Sequence, residues 1–274
     1  MRLVKRGSSH HILVMDAMLV FDRLAVRRHR DRAAASVGRV ACVLEEAAER
    51  LVERLDDVKA TFTRALDVGG RGIVAPLLRA RGIEVLSTDI SPAMATLNGG
   101  PAAAADEEFL PFAARSFDLV TASLSLHWIN DLPGALVQLR RVLRPNGLFL
   151  ASMPVLGTLD ELRHALTEAE AALCGGVSPR VSPFPDLRDC AGLLQRGGFA
   201  LPVVDVETVR FRYAEPLALL HDLRAAGEAN AVRLRDRRVP PRALFPSALA
   251  ALPAEEGRVS ATLRMAVLTG WSPE

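Results

Sequence analysis

The chain has 274 residues, half of them hydrophobic, and a formal net charge of +2. That length and apolar content suffice for one large α/β domain, and so small a net charge gives no reason to expect a nucleic-acid partner. No apolar run approaches the roughly 18 residues that span a bilayer, and Cys42, Cys174 and Cys190 show neither CxxC nor zinc spacing, which favours a reducing compartment over secretion.

Residues 1–15 contain Arg2, Lys5 and Arg6 and no acid. They read either as a short basic targeting segment or as a plain extension. A helix is expected over 20–35, dense in arginine (Arg23, Arg27, Arg28, Arg30, Arg32). A second is expected over 37–55, with Val40, Val43, Leu44, Ala47, Leu51 and Leu55 at helical spacing. The arginines fit a solvated face, a docking surface for an acidic partner, or a lid over the ligand crevice.

The chain is organised around Ala65-Leu66-Asp67-Val68-Gly69-Gly70-Arg71-Gly72. This reads as a buried strand ending at an acid, a glycine turn, and a helix over 73–80. Glycines there permit positive φ and close approach of a ligand to the main chain. The crevice beyond the carboxyl end of such a strand is where an open α/β sheet binds a nucleotide-like ligand. The next strand, 83–87, leads into Thr88, Asp89 and Ile90. An acid about 20 residues past the glycines suits a ribose diol. Ser91-Pro92 caps a short helix. A weak strand at 102–105 then runs into Asp106-Glu107-Glu108-Phe109-Leu110, where a carboxylate can meet an adenine amino group with Phe109 or Leu110 against the ring. A fourth strand at 116–123 precedes a crevice loop, 124–130, that contains Leu124, His127 and Trp128. A helix capped by Asp131, a turn at 145–147 and a strand at 148–153 complete an alternating pattern that indicates a doubly wound, mostly parallel sheet. Beyond it, helices are expected over 157–173, 186–196 and 216–226, and strands over 199–213 and 261–268. Residues 231–258 read as a helical, arginine- and proline-rich cap.

In the order LDVGGRG, STDIS, ADEEFLPF, SFDLVTASLSLHW and LRPNGLFL, the chain resembles the class I S-adenosylmethionine-dependent methyltransferases (type 11). The segments GTLDELR, SPRVSPF and VSATLRMAVLTGW narrow the resemblance. They are similar to those of the mitochondrial complex I assembly factors that act as arginine hydroxylases, and their bacterial relatives; the malonyl-acyl-carrier-protein O-methyltransferases are a sister group. The loop from Asp67 to Gly72 is one residue shorter than the family pattern. The resemblance implies a Rossmann-like fold with a seven-stranded sheet. It also implies a basic helical region (1–60), a cofactor core (61–155) and a remaining sheet edge (156–274) with cap insertions at 158–197 and 214–258.

By the same resemblance the cofactor is S-adenosylmethionine, held by Asp67, Gly69, Gly70, Gly72, Asp89, Ile90, Asp106, Glu107 and Leu124. His127 and Trp128 are the candidate catalytic residues: His127 as a general base or as the residue that orients Trp128, and Trp128 as pocket wall or loop packing. The implied partner is the iron–sulfur subunit of complex I, met in the bacterial cytoplasm at the inner face of the membrane, through peripheral association, or in the mitochondrial matrix of a eukaryote. Three readings stand together: an enzyme acting on a protein, a carboxyl O-methyltransferase, and a non-catalytic assembly factor on a decayed cofactor site. No metal-ligand spacing stands out among the six histidines.

Overall fold

The computed structural model describes residues 19–274; the basic segment at 1–15 lies outside the described residues. Helix α1 (Arg23–Ala33) and, after a 3-10 turn, helix α2 (Ala41–Glu53) precede the first strand. Then come β1 (Arg64–Val68), α3 (Val74–Ala80), β2 (Glu84–Asp89), α4 (Pro92–Ala95), β3 (Ala102–Ala104), β4 (Phe117–Ser123), α5 (Leu132–Val142) and β5 (Leu143–Pro154). The second half holds α6 (Asp160–Cys174), α7 (Leu187–Arg196), β6 (Ala200–Tyr213), α8 (Pro216–Ala225), α9 (Leu244–Ala250), β7 (Ala254–Glu255) and β8 (Arg258–Trp271).

The sheet runs β3-β2-β1-β4-β5-β8-β6, with the short β7 paired to β8. The first five strands of that path are parallel, and β8 lies antiparallel between β5 and β6. Strand order reverses at β1, which lies between β2 and β4, so the ligand crevice opens at the carboxyl ends of these three strands. The central strands are buried on both faces, which explains their continuous apolar runs. One face packs α5 and α7 around Phe117, Leu136, Leu139, Phe149 and Phe199. The other packs α2 and α3 around Leu51, Val74, Leu78 and Leu119. Side-chain caps set the helix starts: Asp131 accepts from the Gly134 N–H at 2.9 Å, Asp186 from the Arg188 N–H at 2.9 Å, and Ser91 from the Met94 N–H at 3.0 Å.

Three expectations need revision. Residues 231–258 hold only α9 and β7 as regular structure. The adjacent prolines Pro240 and Pro241 remove backbone donors, and Arg235 and Arg237 are drawn instead to the Asp22 carboxylate. The turn at 145–147 is an irregularity within β5. Phe117 pairs with Leu143 and Leu119 with Leu148, so the extra residues bulge out. The last strand extends to 14 residues because β5, β6 and β7 all pair with it. Among the described residues no helix is long and apolar enough to cross a membrane.

Phe149 is fully buried and stacks on Phe199 with ring centroids 5.0 Å apart. Phe149→Ala is expected to cost about 3–5 kcal/mol in urea unfolding. Leu201→Ser, at a position 74% exposed, should stay within about 0.5 kcal/mol of the parent.

Candidate active site

The glycine turn is shaped first by its own neighbours. A Cβ on Gly70 would lie 1.9 Å from the Asp67 carboxylate, and one on Gly69 would lie 2.4 Å from the Ser125 Cβ. Gly72 has φ +80° and faces the Leu97 carbonyl, and its N–H is held by Asn98 Oδ1 at 3.0 Å. Ser125 donates to the Val68 carbonyl at 2.8 Å and ties the crevice loop to the end of β1. Asp67 is fully buried. Its Oδ1 accepts from Thr121 at 3.1 Å, while Oδ2 has no hydrogen-bond partner among the described residues. Burial, aided by the nearby Asp89 and only partly opposed by the Thr121 bond, pushes its carboxyl pKa up to about 7.

The arginines of α1 enter this crevice. Arg23 and Arg30 are seven residues apart, hence on one face of the helix, and both turn inward. Arg30 is buried and forks onto Asp89: Nε reaches Oδ1 at 3.3 Å, while Nη2 pairs with Oδ2 and also donates to the Gly69 carbonyl at 3.2 Å. Asp89 Oδ1 accepts in addition from the Ser91 N–H at 2.8 Å. Arg23 donates to Asp106 Oδ1 at 2.6 Å, to Glu107 and to the Trp128 carbonyl at 3.1 Å. Burial raises the Glu107 pKa despite Arg23. Arg27, Arg28 and Arg32 point outward. The helix is pinned at its start: Asn130 Oδ1 accepts from the Val20 and Phe21 N–H groups, the Asp22 N–H donates to the Ala231 carbonyl at 2.8 Å, and Phe21 packs edge-on to Trp128.

On the far side of the crevice one carboxylate organises the rest. Glu228 Oε2 accepts from His127 Nε2 and from Trp128 Nε1, each at 2.7 Å, and Oε1 pairs with Arg71 from the glycine turn. Burial would raise the Glu228 pKa, but His127 and Arg71 overcome it and pull it down to about 2. An ionised carboxylate only accepts, so His127 carries its proton on Nε2. His127 Nδ1 is then buried without a partner among the described residues, as are Arg71 Nε and Arg180 Nε. All three residues line a cavity of about 310 Å³, with Leu44, Leu166, Val181, Phe184, Leu219 and Leu263 among its apolar walls.

The structure therefore brings Asp89, Asp106, Glu107 and the glycine turn around one crevice, with Leu124 in the left-handed region (φ 48°) at the end of β4. Ile90 is half-buried and packs with Phe21, Trp128 and Val232. Of the two residues proposed to lie against the adenine ring, Phe109 is 76% exposed and Leu110 lies in the main core. His127 and Trp128 lie with ring centroids 5.3 Å apart, and both are hydrogen-bonded to Glu228. Sequence reasoning gave Glu228 and Arg71 no role. The seven-residue spacing of Arg23 and Arg30 was the one available signal for the inward face of α1.

Residues 66–151 match the family described as Methyltransferase domain. The chain is 39% identical to the mitochondrial arginine-hydroxylase NDUFAF5 of Danio rerio, covering 93% of this chain and 84% of that protein. It is 35% identical to the malonyl-[acyl-carrier protein] O-methyltransferase of Laribacter hongkongensis, covering 92% and 90%. Among solved structures, the YcgJ protein of Bacillus subtilis superposes with a TM-score of 0.57 at 16% identity, covering 82% of this chain and 99% of that one. A SAM-dependent methyltransferase from Thermotoga maritima gives 0.53 at 15%, covering 89% and 99%. The fold is that of the class I S-adenosylmethionine methyltransferases. Within that class the chain belongs to the family that contains the arginine-hydroxylase NDUFAF5 proteins and the malonyl-acyl-carrier-protein O-methyltransferases.

Two of the perturbed carboxyls, Asp67 and Glu228, give opposite pH signatures. Asp67 ordinarily titrates near 3.8 but holds its proton up to about 7 when folded. The folded state then binds more protons in that window, so its contribution falls as pH rises from about 4 to about 7. Glu228, at about 2 against an ordinary 4.5, contributes stability above its ordinary value and loses it as pH falls through about 2. Urea melts of Asp67→Asn across this range should lose the decline between 4 and 7. An unaltered slope would show that Asp67 is not its source.

Proposed function

We propose that this protein is an S-adenosylmethionine-dependent enzyme that modifies an arginine of the iron–sulfur subunit of respiratory complex I during assembly. The observation that carries the cofactor reading is the set of acids at the ends of β2 and β3, Asp89, Asp106 and Glu107, around a glycine turn, with His127 across the crevice. The substrate reading rests on the 39% identity to an arginine hydroxylase over 93% of the chain.

The donor and acceptor set fits the cofactor. Asp89 suits the ribose diol, and Asp106 and Glu107 suit the adenine amino group. The buried guanidinium of Arg71 supplies a cation beside the glycine turn, where the cofactor's carboxylate needs one. Bound there, the cofactor supplies an electrophilic methyl group on a sulfonium. Glu228 holds the His127 ring by Nε2 and leaves Nδ1 free to take a proton from an acceptor group in the cavity. Trp128, fixed through Nε1, forms the wall between crevice and cavity. The outward arginines Arg27, Arg28 and Arg32 are left for an acidic partner or an anionic membrane surface.

One observation favours a second reading, carboxyl O-methylation. Among the described residues Arg71 Nε and Arg180 Nε are buried donors without acceptors, and both residues line the cavity. A carboxylate would satisfy them, whereas a guanidinium offers only further donors. Mass spectrometry of the iron–sulfur subunit and of malonyl carrier protein, each incubated with the purified protein and cofactor, separates the readings. An added methylene on an arginine supports the first, as does an added oxygen when dioxygen and a two-electron reductant are supplied together with the cofactor. A methyl ester on the malonyl group moves the assignment to the second, and no change in either favours an assembly factor without chemistry. Within the cofactor reading, Asp89→Asn should weaken S-adenosylmethionine binding by about 1–3 kcal/mol in calorimetry.

A further inference from the structure

Every acid assigned above to the cofactor's ribose and adenine already carries a cation from α1. Asp89 is fully buried with Arg30 forked across both its oxygens. Asp106 and Glu107 share Arg23. Asp89 Oδ1 already takes two donors, Arg30 Nε and the Ser91 N–H, so a ribose diol cannot span both oxygens while Arg30 stays. The pairing also has an electrostatic reason. A buried carboxylate stripped of its partner is strongly destabilised, so these acids need positive or donor groups over them whether or not a ligand is present. S-adenosylmethionine and S-adenosylhomocysteine both bring such donors, two ribose hydroxyls and an adenine amino group.

We propose that Arg30 and Arg23 are resident counter-ions of the cofactor site, and that cofactor binding is an exchange of donors, in which the ribose hydroxyls and the adenine amino group displace them from Asp89, Asp106 and Glu107 and α1 loosens. This rests on the cofactor reading above and adds the residues that set its affinity. The inner face of α1 is held by these two side chains together with apolar contacts of Phe21, Ala25 and Val26 to Trp128 and Val232. Cofactor occupancy is thereby read out as the state of a helix whose outer face bears Arg27, Arg28 and Arg32.

The test is calorimetric binding of S-adenosylhomocysteine and S-adenosylmethionine to the full chain and to Arg30→Gln, Arg23→Gln and Arg27→Gln. Exchange predicts that Arg30→Gln binds at least tenfold tighter, that Arg23→Gln moves in the same direction, and that Arg27→Gln, whose exposed side chain pairs at 3.9 Å with the half-buried Asp31, matches the parent. Weaker binding by Arg30→Gln would make Arg30 a ligand of the cofactor and overturn the proposal. Equal tightening by Arg27→Gln would reduce the effect to net charge and overturn it as well. A second measurement uses the unaltered protein and does not depend on how the variants fold. Hydrogen exchange of the amides of residues 23–33 should accelerate when S-adenosylhomocysteine is added; slower exchange would overturn the exchange model. Saturable binding at one affinity by all four proteins would sink the exchange alone, whereas no binding by any of them would sink the cofactor reading with it.

Discussion

The buried pair of Arg30 and Asp89 is the interaction on which the rest of this site depends. It joins the first helix of the described chain to the end of the second strand, 59 residues away, at the point where the sheet reverses direction. A buried ion pair of this kind is weak evidence for stability, because desolvating both charges offsets most of their attraction. Its consequence is positional. Asp89 is fixed at the crevice by the topology of β2, and α1 brings a cation to it. The Asp22 cap, the Asn130 clamp and the bridge between Phe21 and Val232 place the start of that helix, and Arg23 and Arg30 follow from its periodicity.

Glu228 plays the matching part on the other wall. It sits just past the glycine that ends α8, in a segment remote in sequence from both the glycine turn and the crevice loop, yet it binds Arg71 from one and His127 and Trp128 from the other. The two walls are electrostatically linked. Arg30 lies close enough to disfavour the charge of Arg71, whose pKa is lowered to about 10 chiefly by burial and then by Arg30. Expelling Arg30 from the crevice would remove its repulsion of Arg71, which pairs with Glu228, the carboxylate that holds His127. The two walls are in this way parts of one network of charges.

The fold was legible wherever a local signal sufficed. The strand-glycine-helix unit at 65–80, the caps at Ser91, Asp131 and Asp186, and the alternation of strands with helices all appear where the sequence places them. The carboxylates at Asp89, Asp106 and Glu107 were legible because their spacing from the glycine turn is set by the βαβ repeat. What escaped depends on contacts between distant segments. Nothing local marks Glu228 as the partner of His127, 101 residues away. The seven-residue spacing puts Arg23 and Arg30 on one face of α1, but Arg27, four residues past Arg23 and three before Arg30, is exposed, and nothing local sets it apart from them. Phe109 and Leu110 are adjacent, yet one is exposed and the other joins the core, a difference that no local pattern decides. Pro240 and Pro241 were visible, and weighing their missing donors more heavily would have removed the helical cap expected over 231–258.

The central claim is that the acids at the ends of β2 and β3 form an S-adenosylmethionine site now closed by the protein's own arginines. The most direct test is a crystal structure of the full chain with S-adenosylhomocysteine. The account predicts the ribose hydroxyls on Asp89, the adenine amino group at Asp106 or Glu107, and the guanidinium of Arg30 withdrawn from Asp89. A complex in which Arg30 remains forked on Asp89, with the ligand bound elsewhere, would contradict it.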